Sequence, residues 1–179
     1  MTIRFATCDL CDAHKRDFPG ALRVLPPLFH DFGAIRTFCG PVETVKCFED
    51  NSLVKAAVES QGWIDGPGDG AGVSHRTAKV LVVDGGASLR YALLGGNLGK
   101  AAARNGWAGV VINGCVRDVA ELAQHPLGIR ALGRVPLPTE KRNEGQHNVP
   151  VQIQGVVVVP GDWLYADEDG IVVSSEPLF

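Results

Sequence analysis

The sequence predicts a mixed α/β domain with a parallel β-α-β core and antiparallel strands near its C-terminal end, and three observations carry the prediction. Val80-Leu81-Val82-Val83 and Ala108-Gly109-Val110-Val111-Ile112-Asn113 are continuous apolar runs, the pattern of strands covered on both faces. Between them Gly95-Gly96-Asn97-Leu98 opens a helix over residues 97–105, which makes a strand-helix-strand unit with the usual right-handed crossover. Beyond Pro150, Val151-Gln152-Ile153, residues 156–159 and Ile171-Val172-Val173 are short β-rich runs. They are separated by the turn chemistry of Pro160-Gly161-Asp162 and Asp167-Glu168-Asp169-Gly170. At 179 residues the chain buries one sizeable core, and two independent domains would each be marginal, so residues 1–179 read as one domain.

The remaining elements follow in order. Residues 7–14 read as a short helix with Thr7 as N-cap and Leu10 and Cys11 facing inward. Residues 22–29 are interrupted by Pro26-Pro27 and read as an irregular crossing. Residues 34–38 and 42–48 are β-branched and aromatic, and Cys39-Gly40-Pro41 between them signals a turn joining two strands. Asp50, Asn51 or Ser52 caps a helix through Glu59 with Leu53, Ala56, Ala57 and Ser60 on one face. Residues 61–77 are glycine-rich and polar, and are expected to form a mobile surface loop with a disordered tip around Gly66-Pro67-Gly68-Asp69-Gly70. After the second core strand Gly114 turns the chain into a helix over residues 116–124, which stops before Pro126. Residues 136–150 are a polar connection.

Composition narrows the function. The net charge of -3 is spread over mixed acids and bases, without the basic stripe that binds nucleic acid. The start, Met1-Thr2-Ile3-Arg4-Phe5, lacks a signal-peptide core, and no run approaches the ~18 apolar residues of a spanning helix, so a soluble cytoplasmic protein is expected. Five cysteines, an odd number, suit reduced and mostly buried thiols. Cys8-x-x-Cys11 with His14 is half a zinc site without its second half, and reads as small residues on a helix.

The chemistry concentrates where strands of an α/β sheet end, the place where ligands collect. The first N–H groups of the helix after Gly95, including those of Asn97 and Leu98, have no partner within the helix. The helix dipole adds positive charge there, so a carboxylate docks well. Gly95 and Gly96 let a ligand approach the main chain closely. Arg117 supplies a planar fork for a carboxylate or oxo group, and Asp118 suits a hard cation. Glu121, three residues on and on the same helical face, could hold a metal-bound water. One or two carboxylates completed by water and substrate is the style of Mg²⁺ or Mn²⁺. Asp118-x-x-Glu121 equally resembles a capping box, and the bland alternative for Arg117 is a surface pair with an acid.

Other candidates read as structural. Lys100, one turn after the glycine pair, is the lysine placed for Schiff-base chemistry, and its bland role is a solvated helix residue. His75, His125 and His147 fall in loops or helix ends. Asp84 before Gly85-Gly86 reads as a turn cap. No glycine-rich nucleotide turn follows the first strand, which excludes a nucleotide-dependent methyltransferase.

Several stretches resemble the RraA-like proteins, which include the class II, metal-dependent 4-hydroxy-4-methyl-2-oxoglutarate aldolases and the regulators of RNase E activity. They are Thr7-Cys8-Asp9-Leu10-Cys11-Asp12, Thr44-Val45-Lys46-Cys47-Phe48-Glu49-Asp50-Asn51, Val82-Val83-Asp84-Gly85-Gly86, Asn105-Gly106-Trp107-Ala108-Gly109, Gly114-Cys115-Val116-Arg117-Asp118 and Leu164-Tyr165-Ala166-Asp167. The aldolase branch carries Asp or Gly, then twenty residues, then Arg-Asp, and the Gly form adds an acid three positions later. Gly96, twenty residues, Arg117-Asp118 and Glu121 fit the Gly form. Members that only regulate RNase E tend to lack the acid after the arginine. The longer segment 61–77 departs from the family pattern.

The resemblance implies a swivelling β/β/α-type fold, a homotrimer with sites at subunit interfaces, and a divalent metal, Mg²⁺ or Mn²⁺. It assigns Gly95, Gly96, Asn97, Leu98 and Arg117 to a small 2-oxo acid substrate and Asp118 to the metal. The implied reaction is retro-aldol release of pyruvate, with oxaloacetate decarboxylation through the same enolate. An RNase E or helicase partner is the non-catalytic alternative.

Overall fold

The computed structural model describes residues 5–66 and 76–179. In chain order these form helix α1 (Thr7–His14), strands β1 (Leu22–Val24), β2 (His30–Asp31) and β3 (Phe38–Lys46), and helix α2 (Ser52–Glu59). Next come β4 (Trp63–Asp65), β5 (Arg76–Ala78), β6 (Val80–Asp84), β7 (Ala92–Leu94), α3 (Gly96–Arg104), β8 (Gly109–Val116) and α4 (Val119–Leu122). The chain closes with β9 (Gly128–Arg134), β10 (Gln146–His147), β11 (Val151–Ile153), β12 (Val156–Val158), β13 (Trp163–Ala166) and β14 (Ile171–Ser174). The tip residues 67–70, His75 and the start 1–4 lie outside the described residues.

The main sheet runs β1-β14-β13-β3-β6-β8-β9-β2, with β10 added on β3 and β7 on β8. Strands β3, β6, β8 and β9 are mutually parallel, whereas β1, β14, β13 and β3 are antiparallel neighbours. This is the swivelling α/β arrangement expected, with its parallel core and antiparallel C-terminal strands. The continuous apolar strands are buried on both faces. On β6, Leu81 and Val83 join the cluster under the helices, with Val54, Ala57, Val58, Ala102 and Leu122. Val80 and Val82 join the opposite cluster, closed by Val151, Ile153 and Val158 of the β11–β12 hairpin.

Several local expectations are corrected. Cys39-Gly40-Pro41 is no turn: β3 passes through it, pairing Phe38–Pro41 with β13 and Val42–Lys46 with β6. A Cβ on Gly40 would collide with the Ala78 carbonyl oxygen, and Pro41 at the change of partner has no N–H to leave unpaired. Residues 34–37 form no strand, and 22–24 do, on β14. The inner face of α2 is Val54, Ala57 and Val58, while Ala56 and Ser60 are exposed. The two flanks of segment 61–77 pair with each other as antiparallel strands, β4 with β5.

Thr7 does not cap α1; its N–H and hydroxyl both donate to Asp167, at 2.6 Å each, and pin the helix to the β13–β14 turn. Gly114 lies inside β8, which continues to Val116, and α4 is only Val119–Leu122. Strand β9, which no sequence signal announced, carries buried Arg130, paired with Asp31 and donating to the carbonyls of Arg36 and Asp167. All five cysteines are free; Cys47 and Cys115 are buried and Cys8 is exposed. Burial pushes the Cys47 thiol up to about 12 and Cys39 to about 11, leaving them inert. Among the described residues, no helix is long and apolar enough to cross a membrane.

Candidate active site

Two strand ends meet beneath one helix. Strand β7 ends at Leu94 and α3 begins at Gly96, so the first N–H groups of α3 have no partner within it. Strand β8 runs beside β7, and Arg117 N donates to Leu94 O at 2.9 Å, which brings Arg117 and Asp118 out next to that helix start. Asp118 is left-handed, with φ 57° and ψ 41°, a conformation that aspartate tolerates better than most residues. Its Oδ2 accepts a hydrogen bond from Gly96 N at 3.1 Å, and Arg117 Nε lies 3.6 Å from the same oxygen. The two side chains are 40% and 42% exposed, so both are open to a ligand.

Asp118 therefore caps α3 across 22 residues of sequence and leaves its own helix uncapped. The capping box is not formed; between Glu121 and Asp118 there is only the backbone bond from Glu121 N to Asp118 O, 2.9 Å. Two carboxylates press on the turn, one at each glycine. A Cβ on Gly95 would lie 2.7 Å from Asp118 Oδ2 and 3.1 Å from Arg117 Nε. A Cβ on Gly96 would overlap Glu121 Oε2 and lie 2.8 Å from Glu121 Cδ.

A cleft of about 400 Å³ opens in front of this constellation. Gly95, Asn97, Leu98, Arg117 and Asp118 line it, whereas Gly96 is buried behind them and Glu121 stands off the lining with its carboxylate against Gly96. On the other side of Arg117 and Asp118 a second hollow of about 370 Å³ includes Arg134. Among the described residues no three His, Cys, Asp or Glu side chains converge as a closed metal cage. Asp118 and Glu121 offer oxygen donors only, with open space beside them. That donor set fits a hard dication that takes its other ligands from water and substrate, and fits a closed zinc site poorly.

The other candidates separate cleanly. Lys100 is exposed and absent from the cleft; Lys55 and Lys141, neither singled out by sequence, line it instead. Asp84 is buried and accepts from Asn113 Nδ2 at 3.1 Å and Gly86 N at 3.0 Å, a structural role. His147 Nε2 lies 2.7 Å from Glu43 Oε1, away from the cleft lining, and His125 follows α4. Asn51 and Thr139 also line the cleft. In the sequence Asn51 reads as a possible helix cap and ends one of the family-like stretches, and Thr139 and Lys141 lie in a segment that reads as a mere connection.

The RraA-like family model, described as Aldolase/RraA, matches residues 7–173. The chain belongs to the RraA-like family. Among RraA-like relatives, a provisionally named 4-hydroxy-4-methyl-2-oxoglutarate aldolase of Albidiferax ferrireducens is 72% identical over 175 residues, 98% of each chain. One of the same provisional name from Burkholderia mallei is 54% identical over 175 residues, 97% of this chain and 98% of the relative. Of solved structures, the RNA-processing inhibitor RraA from Thermus thermophilis superposes with a TM-score of 0.84 at 42% identity, covering 98% of this chain and 95% of that one. A protein of Geobacillus kaustophilus described as an S-adenosylmethionine: 2-dimethylmenaquinone methyltransferase gives 0.83 at 40% identity, covering 97% of both.

Proposed function

We propose that this RraA-like chain is a carbon-carbon lyase, a metal-dependent 4-hydroxy-4-methyl-2-oxoglutarate aldolase that also decarboxylates oxaloacetate. One observation carries the reading: the Asp118 carboxylate is held at the Gly96 N–H beside the Arg117 guanidinium, at the start of a helix and the edge of a cleft. The provisional names of the 72% and 54% identical relatives support the choice of substrate.

The N–H groups of Asn97 and Leu98, left without a partner within α3, receive the C1 carboxylate of the substrate, while that of Gly96 stays on Asp118. Arg117 sets its guanidinium against the 2-oxo oxygen, where negative charge develops as the bond breaks. Asp118, with Glu121 near it, would hold Mg²⁺ or Mn²⁺, and the metal when bound supplies Lewis-acid stabilisation of that same charge. Cleavage breaks C3–C4. The 4-hydroxyl gives up its proton and C4 becomes the carbonyl of one pyruvate, while the bond's electrons pass to C3 and the 2-oxo oxygen. The resulting enolate takes a proton at C3 to become the second pyruvate, with Glu121 holding a water for the proton transfers. Loss of CO₂ from oxaloacetate leaves the same enolate.

A second reading, docking on RNase E or an associated helicase without catalysis, is favoured by the 42% identity to the Thermus RNA-processing inhibitor. The intact set of Arg117, Asp118 and Glu121 argues against it as the sole role. A homotrimer with sites at subunit interfaces belongs to either reading. The test is pyruvate release from 4-hydroxy-4-methyl-2-oxoglutarate and oxaloacetate by metal-stripped protein, before and after Mg²⁺ or Mn²⁺. Activity should appear only with metal, and Arg117→Ala and Asp118→Ala should be nearly inactive. Full turnover in excess chelator would refute the assignment.

A further inference from the structure

The cleft in front of Arg117 is larger than a three-carbon acid needs. Its volume of about 400 Å³ lies within the range of roughly 300–1,000 Å³ that accommodates much longer ligands. Gly95, Leu98, Arg117 and Asp118 account for the pyruvate end. The remaining wall is built from the start of α2 and from residues 138–141, and includes Asn51, Lys55, Thr139 and Lys141.

The charges of that wall are unevenly spent. Lys55 is paired with Glu59, and Arg117 lies beside Asp118, whereas Lys141 has no ion-pair partner among the described residues. Two polar atoms of the wall are also unsatisfied: Asn51 Oδ1 and Thr139 Oγ1 are buried without a hydrogen-bond partner. The Asn51 amide is fixed by its Nδ2, which donates to Leu93 O at 3.1 Å, so its oxygen is left spare. Each such orphan carries the desolvation cost of an unmade hydrogen bond, a cost offset where a ligand completes it. Turning about χ1 brings a threonine hydroxyl from one neighbour to another.

Lys141 is also held in place. The next residues clamp onto the start of α2: Arg142 N and Glu144 N donate to Asp50 Oδ2 at 2.7 and 3.2 Å, and Asn143 N donates to Ser52 Oγ at 3.2 Å.

From this juxtaposition we infer that Lys141 is a specificity-determining residue, whose ammonium receives, with the Thr139 hydroxyl, the second carboxylate of a dicarboxylic 2-oxo acid. The inference rests on the proposed reaction and adds to it the residues that measure the far end of the substrate.

The test separates the two. Mg²⁺-loaded protein is titrated calorimetrically with pyruvate and with 2-oxoglutarate, which has the second carboxylate but no hydroxyl to cleave. Wild type should bind 2-oxoglutarate at least tenfold more tightly. Lys141→Gln should abolish that preference with pyruvate affinity unchanged, and Lys141→Arg should restore it in part. Thr139→Val should weaken 2-oxoglutarate binding without lowering the melting temperature, a split that a merely structural hydroxyl does not produce. Equal losses for both ligands, or no preference in wild type, overturn the inference. Normal lyase turnover without the binding preference overturns this inference alone, and the preference without turnover overturns the reaction alone.

Discussion

Gly96→Ala is the sharpest test of how the site is built, because fold and activity should move apart. Gly96 sits in the first turn of α3 and does not use a left-handed backbone, so alanine fits its conformation. Replacing a glycine at such a position raises stability by about 0.4–1 kcal/mol through the unfolded chain. The new Cβ, however, meets Glu121: its Cδ at 2.8 Å and its carboxylate closer still, where ordinary contact begins at 3.4 Å. Glu121 is exposed, so the overlap with its carboxylate is relieved by swinging that group away by on the order of 1 Å or more, while its Cβ, at 3.1 Å, has to yield slightly. A misplacement of that size costs up to about 100-fold in rate.

The expected result is an unchanged or slightly higher urea midpoint, with kcat/KM for pyruvate release down about 10–100-fold. Glu121→Ala should lose about as much, and the double variant should be no worse than either, because both changes remove the same group. Wild-type turnover in Gly96→Ala, or a double variant whose loss is the product of the two single losses, would refute the placing of Glu121 in the reaction.

Two further outcomes follow from the same geometry. Arg117→Lys keeps the charge and loses the planar fork, and should lower kcat/KM by about 10–100-fold, the order of one charge-assisted bond; unfolding should shift by less than about 0.5 kcal/mol because the pair with Asp118 is exposed. Burial alone would raise the Asp50 carboxyl, but hydrogen bonds from Ser52, Arg142 and Glu144 overcome it and hold it at about 2. A folded-state pKa below the unfolded value adds stability that is complete above about pH 4 and lost as pH falls through 2, here about 2 kcal/mol. Urea midpoints from pH 5 to 2 should therefore converge between wild type and Asp50→Asn as pH falls; parallel curves would exclude this role.

The parts legible in the sequence are those whose cause is local. Val80 to Val83 and Val110 to Ile112 announce two-sided burial by themselves, and Gly95-Gly96 announces the helix start. Arg117 and Asp118 stand out because ligands collect at strand ends, and the structure brings both to the edge of the cleft. What escaped depends on distant partners. Cys39-Gly40-Pro41 looks like a turn until Ala78 and Trp163 are seen across it. β9 hides because Arg130 reads as polar, although Asp31 and two backbone carbonyls neutralise it. The brevity of α4 follows from the left-handed Asp118, whose carboxylate serves another helix. Thr139 and Lys141 gain meaning only once Asp50 draws their segment against α2.

Strand β3 lends its first four residues to β13 and its last five to β6. The molecule thus has no seam along which the C-terminal hairpin could peel off while the parallel strands stay whole. Packing at Leu164 or Val173, on strands separated from β8 by β3 and β6, is a guarantor of the cleft's shape: loosening there frays the strand that borders β6, and β6 in turn borders β8, which delivers Arg117 and Asp118.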